Sequence, residues 1–194
     1  MVTRRTDIDA ALQDLYDQVP AIPGCQGKCW VSCGPIEMSD RERQRARHAG
    51  YRITDPREAT RMIDTYWCEA LTREGLCAIY DLRPLSCRLW GTTEGMPCPH
   101  GCQPERWLTD DQAFALVTES LIIGGAAAAG LHLADKDPDQ ILARWFASGA
   151  RQIHQQLLAR GRASIGIRLR ATDGELPPEI TSRPARKPAA GHRR

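Results

Sequence analysis

Apolar residues recur along much of this chain at the spacing of an α-helix. From Ile8 to Val19 they fall at every third or fourth position, and a similar stripe extends from Ile141 to Leu158. This spacing places the apolar side chains on one face of a helix, where they can pack against a core. We therefore predict amphipathic helices over residues 8–19 and 137–160.

Capping signatures predict three further helices. A Ser, Thr or Asp followed three residues later by Glu or Gln is typical of a helix N-terminus, because the two side chains can bond the exposed backbone amides. Such pairs begin at Ser39, Asp55 and Thr109. They predict helices over residues 40–49, 56–65 and 110–123. Residues 76–80 have the composition of a short strand.

Together these elements predict a mainly α fold in one domain. We expect residues 1–108 to form an irregular, metal-organised region that contains the cysteines, and residues 109–170 to form a helical part packed against it. From residue 171 onward Pro, Arg, Ala and Gly dominate. This composition predicts a basic, disordered tail over residues 171–194.

Composition and charge narrow the classes of function. The net charge is only +2, and the 35 residues from Arg160 onward contribute nine Lys and Arg against three acidic residues. The basic character therefore belongs to the tail, and the rest of the chain has no general affinity for polyanions. The first residues lack the apolar run of a signal peptide, and the apolar stretch near residue 120 is too weak to span a bilayer. We expect a cytoplasmic protein without a membrane partner, and nucleic acid is not favoured as a partner.

Eight cysteines lie between Cys25 and Cys102, and there are none elsewhere in the chain. Because cytoplasmic thiols are kept reduced, clustered cysteines indicate metal binding before disulfides. Thiolates ligate Zn²⁺ or the irons of a four-iron, four-sulfide cluster, and the all-thiolate set favours iron–sulfur by a small margin. The spacing does not show which cysteines share a site. All eight are candidate metal ligands, namely Cys25, Cys29, Cys33, Cys68, Cys77, Cys87, Cys98 and Cys102.

Other side chains near these cysteines could support a metal centre. Arg83 and Arg88 could offset the negative charge of a tetrathiolate site by hydrogen bonding, so both are candidate cofactor-binding residues. His100 lies between Cys98 and Cys102 and is an alternative zinc ligand. Four tryptophans also fall close to cysteines in the sequence and could exclude water from a centre, namely Trp30, Trp67, Trp90 and Trp107.

The segment from Gly75 to Arg88 resembles the core of a known family. It reads Gly-Leu-Cys-Ala-Ile-Tyr-Asp-Leu-Arg-Pro-Leu-Ser-Cys-Arg and is preceded by Cys68 and a cluster of cysteines. This is similar to the YkgJ family of CxxCxxCC zinc- or iron-chelating proteins. The first cluster departs from the family pattern, because Cys33 is followed by Gly34 instead of another cysteine. The resemblance implies a metal-binding domain, and the family includes iron–sulfur flagellin lysine methylases.

Three functions agree with these observations. The first is a structural or accessory metal-binding protein, whose partners are metal ions and for which a protein partner is left open. The second is an iron–sulfur-dependent modifying enzyme like the methylases of the family. The third is a metal or redox sensor that uses its basic tail on DNA. The cysteine spacing differs from the C-x3-C-x2-C of radical S-adenosylmethionine enzymes, so it gives no support to that chemistry.

Overall fold

The computed structural model describes residues 5–34, 36–54, 58–59, 66–125 and 175–184. Within these ranges the α-helices are α1 (Arg5–Tyr16), α2 (Asp40–His48), α3 (Leu85–Arg88), α4 (Asp110–Gly124) and α5 (Pro178–Thr181). Two 3-10 helices cover Trp30–Ser32 and Tyr80–Leu82. The described part of the chain contains no strand, only isolated bridges such as the antiparallel one between Leu71 and Cys77. The prediction of a mainly α fold is confirmed.

The helices predicted near residues 8–19, 40–49 and 110–123 are present with small shifts at their ends. Two of the three predicted capping pairs, Ser39 with Glu42 and Thr109 with Gln112, are formed, and the third, at Asp55, lies outside the described residues. Of the helix predicted over 56–65, only Glu58 and Ala59 are described, and both are helical. The helix predicted over 137–160 lies outside the described residues. Among the described helices, none combines the length and apolar character needed to cross a membrane.

The strand expected at residues 76–80 does not form. Gly75 has a φ of 76° and closes a tight turn, in which the amide of Thr72 donates to the carbonyl of Leu76 at 2.8 Å. Ile79, with φ −117° and ψ 37°, then leaves the extended conformation and begins the 3-10 helix Tyr80–Leu82. The extended stretch is therefore too short for a ladder and contributes a single bridge.

The largest apolar core joins helices α1, α3 and α4. Leu12, Leu85 and Leu89 are at most 1% exposed, and they pack with the buried face of α4. Gly124 lies where the end of α4 meets Ser39, so close that a Cβ would overlap the Ser39 side chain. A second core lies under α2, and a third surrounds Trp30. The cysteine-bearing loops lie against these last two cores.

Buried Glu42 connects three of these elements. Its carboxylate accepts hydrogen bonds from the Tyr16 hydroxyl at 2.9 Å, from the Ser39 amide at 2.8 Å and hydroxyl at 2.9 Å, and from the Leu85 amide at 2.8 Å. The residue is 1% exposed, so each of these bonds replaces lost hydration. Glu42 thereby fixes the start of α3, the helix that contains Cys87.

Residues 175–184 pack against the cysteine-containing region, although the sequence predicted a disordered tail from residue 171. Ile180 is fully buried beside Trp30, Val31 and Leu71. Arg183 donates to the backbone carbonyls of the segment 67–71. Burial of one large apolar side chain together with these hydrogen bonds orders the segment, a gain that its composition does not reveal. Residues 171–174 and 185–194 lie outside the described residues.

Candidate metal centre

Five of the eight cysteines form one half-buried group, which we call the inner cluster (Cys29, Cys33, Cys68, Cys77 and Cys87). Three separate loops contribute to it. Cys29 and Cys33 flank the 3-10 helix Trp30–Ser32, and the amide of Cys68 donates to the carbonyl of Cys33 at 3.3 Å. Cys77 lies on the other side of the turn from Cys68, bridged to Leu71, and Cys87 lies in α3.

The thiols of the inner cluster influence one another electrostatically. Burial raises the pKa of Cys33 well above its usual range, and the neighbouring thiols Cys68, Cys29, Cys77 and Cys87 raise it further. Burial also raises the pKa of Cys87, and the neighbouring thiols Cys68, Cys77 and Cys29 raise it further. Burial raises the pKa of Cys68 to about 12. Burial likewise raises the pKa of Cys29 and Cys77. Without a cation, these thiols are protonated at neutral pH.

Backbone amides and arginine side chains oppose this rise in pKa. The backbone amide of Ala70 donates to the sulfur of Cys68, and the amide of Ile79 donates to the sulfur of Cys77. Each hydrogen bond lowers the pKa of the thiol that accepts it. The charge of Arg83 lowers the pKa of Cys29, Cys77 and Cys87, and that of Arg183 lowers the pKa of Cys68. Amide-to-sulfur hydrogen bonds and nearby cations are what a thiolate site requires.

The two candidate arginines occupy different positions. Arg83 acts on three thiols of the inner cluster, and its guanidinium carbon lies 3.5 Å from the centre of the Tyr80 ring. Arg88 donates to the carbonyls of Arg83 at 2.9 Å and Asp81 at 2.6 Å, and its guanidinium lies over the Tyr16 ring. These contacts hold the 81–83 turn against α1. Arg88 therefore supports the loop that carries Arg83.

The remaining cysteines form a second group on the surface, which we call the outer cluster (Cys25, Cys98 and Cys102). Cys25 is exposed, and Cys98 and Cys102 are half-buried. Slight desolvation raises the pKa of the Cys102 thiol, and the neighbouring thiols Cys98 and Cys25 raise it further. Cys25 lies 3.7 Å from the Tyr80 hydroxyl, and the pKa of Cys29 also responds to it, so the two clusters are adjacent at this point.

The four tryptophans do not share one role. The rings of Trp30 and Trp67 lie 5.7 Å apart in the core that contacts Cys33, so they shield the inner cluster. Trp90 packs instead against the core of α1, α3 and α4, and Trp107 is 40% exposed.

Two contributions to the site were missed in the sequence. Arg183 lies 115 residues beyond Cys68, and its Nη1 donates to the Cys68 carbonyl at 2.8 Å. Tyr80 connects the Cys25 loop with Arg83, because its ring packs on Gly27 and its hydroxyl reaches Cys25. Of these two residues, only Tyr80 had a signal in the sequence, because it belongs to the motif around Cys77.

The donor set of the inner cluster fits a metal centre by its chemistry. It provides more than four thiols, buried amide donors to sulfur and a cation close to the thiols. Within the described ranges, however, no three His, Cys, Asp or Glu side chains are arranged so that they could already hold one ion. Metal binding would therefore require the thiols to rotate and approach one another.

Comparison with known proteins yields a match to the family model of one domain. Neither the search of curated proteins nor the search of solved structures found a match. A family model described as "CxxCxxCC: Putative zinc- or iron-chelating domain" matches residues 24–103, the segment that contains all eight cysteines. This agrees with the resemblance seen around Cys77 and Cys87. Residues 24–103, somewhat less than half of the chain, are therefore similar to a domain described as zinc- or iron-chelating.

Proposed function

We propose that Cys33, Cys68, Cys77 and Cys87 hold a metal centre whose main role is structural. The observation that carries this proposal is that thiols from two loops and α3 lie together, so that Cys68, Cys77 and Cys29 all raise the pKa of Cys33 and Cys87. A cation makes the deprotonated form of such a group favourable and converts the repulsion among thiolates into shared attraction. The centre would then connect the 29–33 loop, the 68–77 turn and α3.

Cys29 is the fifth thiol and is assigned a peripheral position. It lies between the two clusters, because its pKa responds to Cys25 as well as to burial. Burial raises the pKa of Cys33 and Cys87, and Cys68 and Cys77 raise it further in both cases. Cys68 and Cys77 also receive amide hydrogen bonds at sulfur, which support the thiolate form.

We further propose that the centre is a four-iron, four-sulfide cluster. Such a cluster accepts four thiolates, is tuned by hydrogen bonds to sulfur and is protected by a dry surround, here contributed by Trp30 and Trp67. When bound, it would supply structural cross-linking and the capacity to accept or donate one electron. Arg83 and the amides of Ala70 and Ile79 would offset its negative charge.

Anaerobic purification followed by visible absorption and analysis of iron, sulfide and zinc tests both proposals. The expected result is a brown protein with about four irons and four sulfides per chain. Loss of this chromophore in Cys33→Ser, Cys68→Ser, Cys77→Ser and Cys87→Ser, and its retention in Cys29→Ser, supports the ligand assignment. A colourless wild-type protein that holds zinc overturns the cluster, and ligand variants with undiminished metal overturn the site.

The enzyme and sensor functions receive no comparable support from the described contacts. The one basic residue of the tail that is described, Arg183, bonds the backbone of the domain itself. Calorimetry with S-adenosylmethionine tests the enzyme function, for which measurable binding is required.

A further inference from the structure

We propose that Cys25, Cys98, Cys102 and His100 form a second, solvent-accessible site for a divalent thiophilic ion such as zinc. The proposal rests on the proposed function in one respect, namely that the inner cluster serves its own centre. Three thiolates and one imidazole are a usual ligand set for tetrahedral zinc.

Backbone contacts hold the two loops of this site face to face. The Cys102 thiol donates to the Gly24 carbonyl at 3.7 Å, and the amide of Glu105 donates to the Ala21 carbonyl at 2.9 Å. Gly91 allows the close approach, because a Cβ there would lie 2.7 Å from the Ile22 side chain and 3.3 Å from Cys98. Cys25 is therefore positioned beside Cys98 and Cys102 although more than 70 residues separate them in sequence.

The distribution of the thiols within these loops also favours an ion over three independent side chains. Cys98 and Cys102 are separated by three residues, and the amide of Gly101 donates to the Cys98 carbonyl at 3.1 Å, which closes a turn between them. The two thiols are close enough that Cys98 raises the pKa of Cys102. Because one short turn supplies two ligands and the loop contacts supply the third, closure of the site loses little chain entropy.

His100 shares one feature with metal-ligating histidines, a ring nitrogen bonded to a backbone carbonyl. As elsewhere in the described part of the chain, the four side chains are not yet arranged to hold an ion, so binding would require them to rotate. The Nε2 of His100 lies 2.8 Å from the carbonyl oxygen of Lys28, between Cys25 and Cys29 in the sequence. A carbonyl can only accept, so Nε2 must be the donor, and in the neutral ring Nδ1 then carries the lone pair. Donation of one ring N–H to a backbone carbonyl while the other nitrogen binds the ion is the common arrangement around metal-bound histidines.

Exposure distinguishes this site from the inner cluster. His100 and Cys25 are exposed, whereas Cys33, Cys68 and Cys77 of the inner cluster pack against the second and third cores. An ion in the outer site can therefore exchange with solution without opening the fold. The Tyr80 hydroxyl, 3.7 Å from Cys25, can donate to its thiolate and would couple the two sites through Arg83.

Cobalt titration of the anaerobically purified, reduced protein tests the site. Co²⁺ substitutes for zinc, gives visible bands in tetrahedral sites, and gives a sulfur-to-cobalt band whose intensity counts thiolates. We expect about one equivalent with three thiolates in the wild type. The Cys98→Ser/Cys102→Ser variant should lose it, and His100→Ala should weaken binding about tenfold or more and change the visible bands.

Two control variants keep this result separate from the inner centre. His48→Ala removes another exposed histidine, at the end of α2, and should leave cobalt binding unchanged. Cys68→Ser/Cys87→Ser should abolish the inner centre but retain the cobalt equivalent. The outer site is overturned if the Cys98→Ser/Cys102→Ser variant binds cobalt like the wild type, or if His100→Ala and His48→Ala behave alike. Either result leaves the test of the inner centre intact.

Discussion

Replacement of Arg183 by alanine should destabilise the domain although this residue lies far from the cysteines in sequence. Its Nη1 donates to the carbonyls of Cys68 at 2.8 Å and Leu71 at 3.0 Å, and its Nη2 donates to that of Trp67 at 3.2 Å. The variant leaves these half-buried carbonyls with fewer donors. It also removes the positive charge that lowers the pKa of the Cys68 thiol.

The size of the effect follows from the number of donors. Two guanidinium nitrogens are engaged, and a hydrogen bond from a charged donor contributes about 1.5–3 kcal/mol. Ordering the long side chain costs about 2 kcal/mol, and the partial exposure of Arg183 screens part of the charge. We therefore expect Arg183→Ala to lower the free energy of unfolding by about 2 kcal/mol.

Urea unfolding followed by tryptophan fluorescence and by circular dichroism measures this loss. Arg106→Ala is the matched control, because Arg106 is exposed and makes one hydrogen bond, to the Gln18 carbonyl at 2.9 Å. The control should change stability by less than about 0.5 kcal/mol. If the two variants unfold at the same urea concentration, the C-terminal segment does not stabilise the 67–71 turn and the reasoning is wrong.

Three further predictions concern buried acids and thiols. Glu42→Gln should lower the free energy of unfolding by about 2–4 kcal/mol, because the new amide nitrogen would face hydrogen-bond donors that now bond the carboxylate. The exposed control Glu119→Gln should leave the free energy of unfolding nearly unchanged in the same urea assay. Burial raises the pKa of Glu37, so ionisation of this carboxyl destabilises the fold above the normal pKa of Glu. Glu37→Gln should therefore be more stable than the wild type at pH 7, and this difference should vanish below about pH 4. Exposed Glu94→Gln is the control, and a Glu37→Gln variant as stable as the wild type at both pH values would contradict the prediction. Because burial raises the pKa of Cys68 to about 12, a metal ion must displace the proton of this thiol when it binds. Metal affinity should therefore rise with pH, and calorimetry in buffers of different ionisation enthalpy should detect the released proton. A pH-independent affinity would show that the thiols are already ionised.

The features that the sequence predicts well depend on local interactions. The capping boxes at Ser39 and Thr109 involve residues three apart, so their chemistry is readable from the chain. The motif around Cys77 indicated the same family as the model that matches residues 24–103.

The features that the sequence does not predict depend on contacts between distant segments. The division of the cysteines into two clusters follows from how the loop near Cys98 meets the loop near Cys25, and the thiol spacing contains no information about that contact. The composition of the tail predicts disorder, yet one apolar side chain, Ile180, finds a fully buried position. Such a gain is visible only when the partner surface is known.

The packing of the largest core limits how far the chain can be truncated before the fold is lost. Residues 24–103 match the family, but Leu85 and Leu89 of that segment are covered by Leu12 from α1 and by α4, and Ile180 covers Trp30. A fragment limited to the matched segment would expose these surfaces to water and lose several kcal/mol or more of apolar burial. The unit that folds is therefore assembled from three stretches of the chain, and expression of the matched segment alone should yield an aggregating polypeptide.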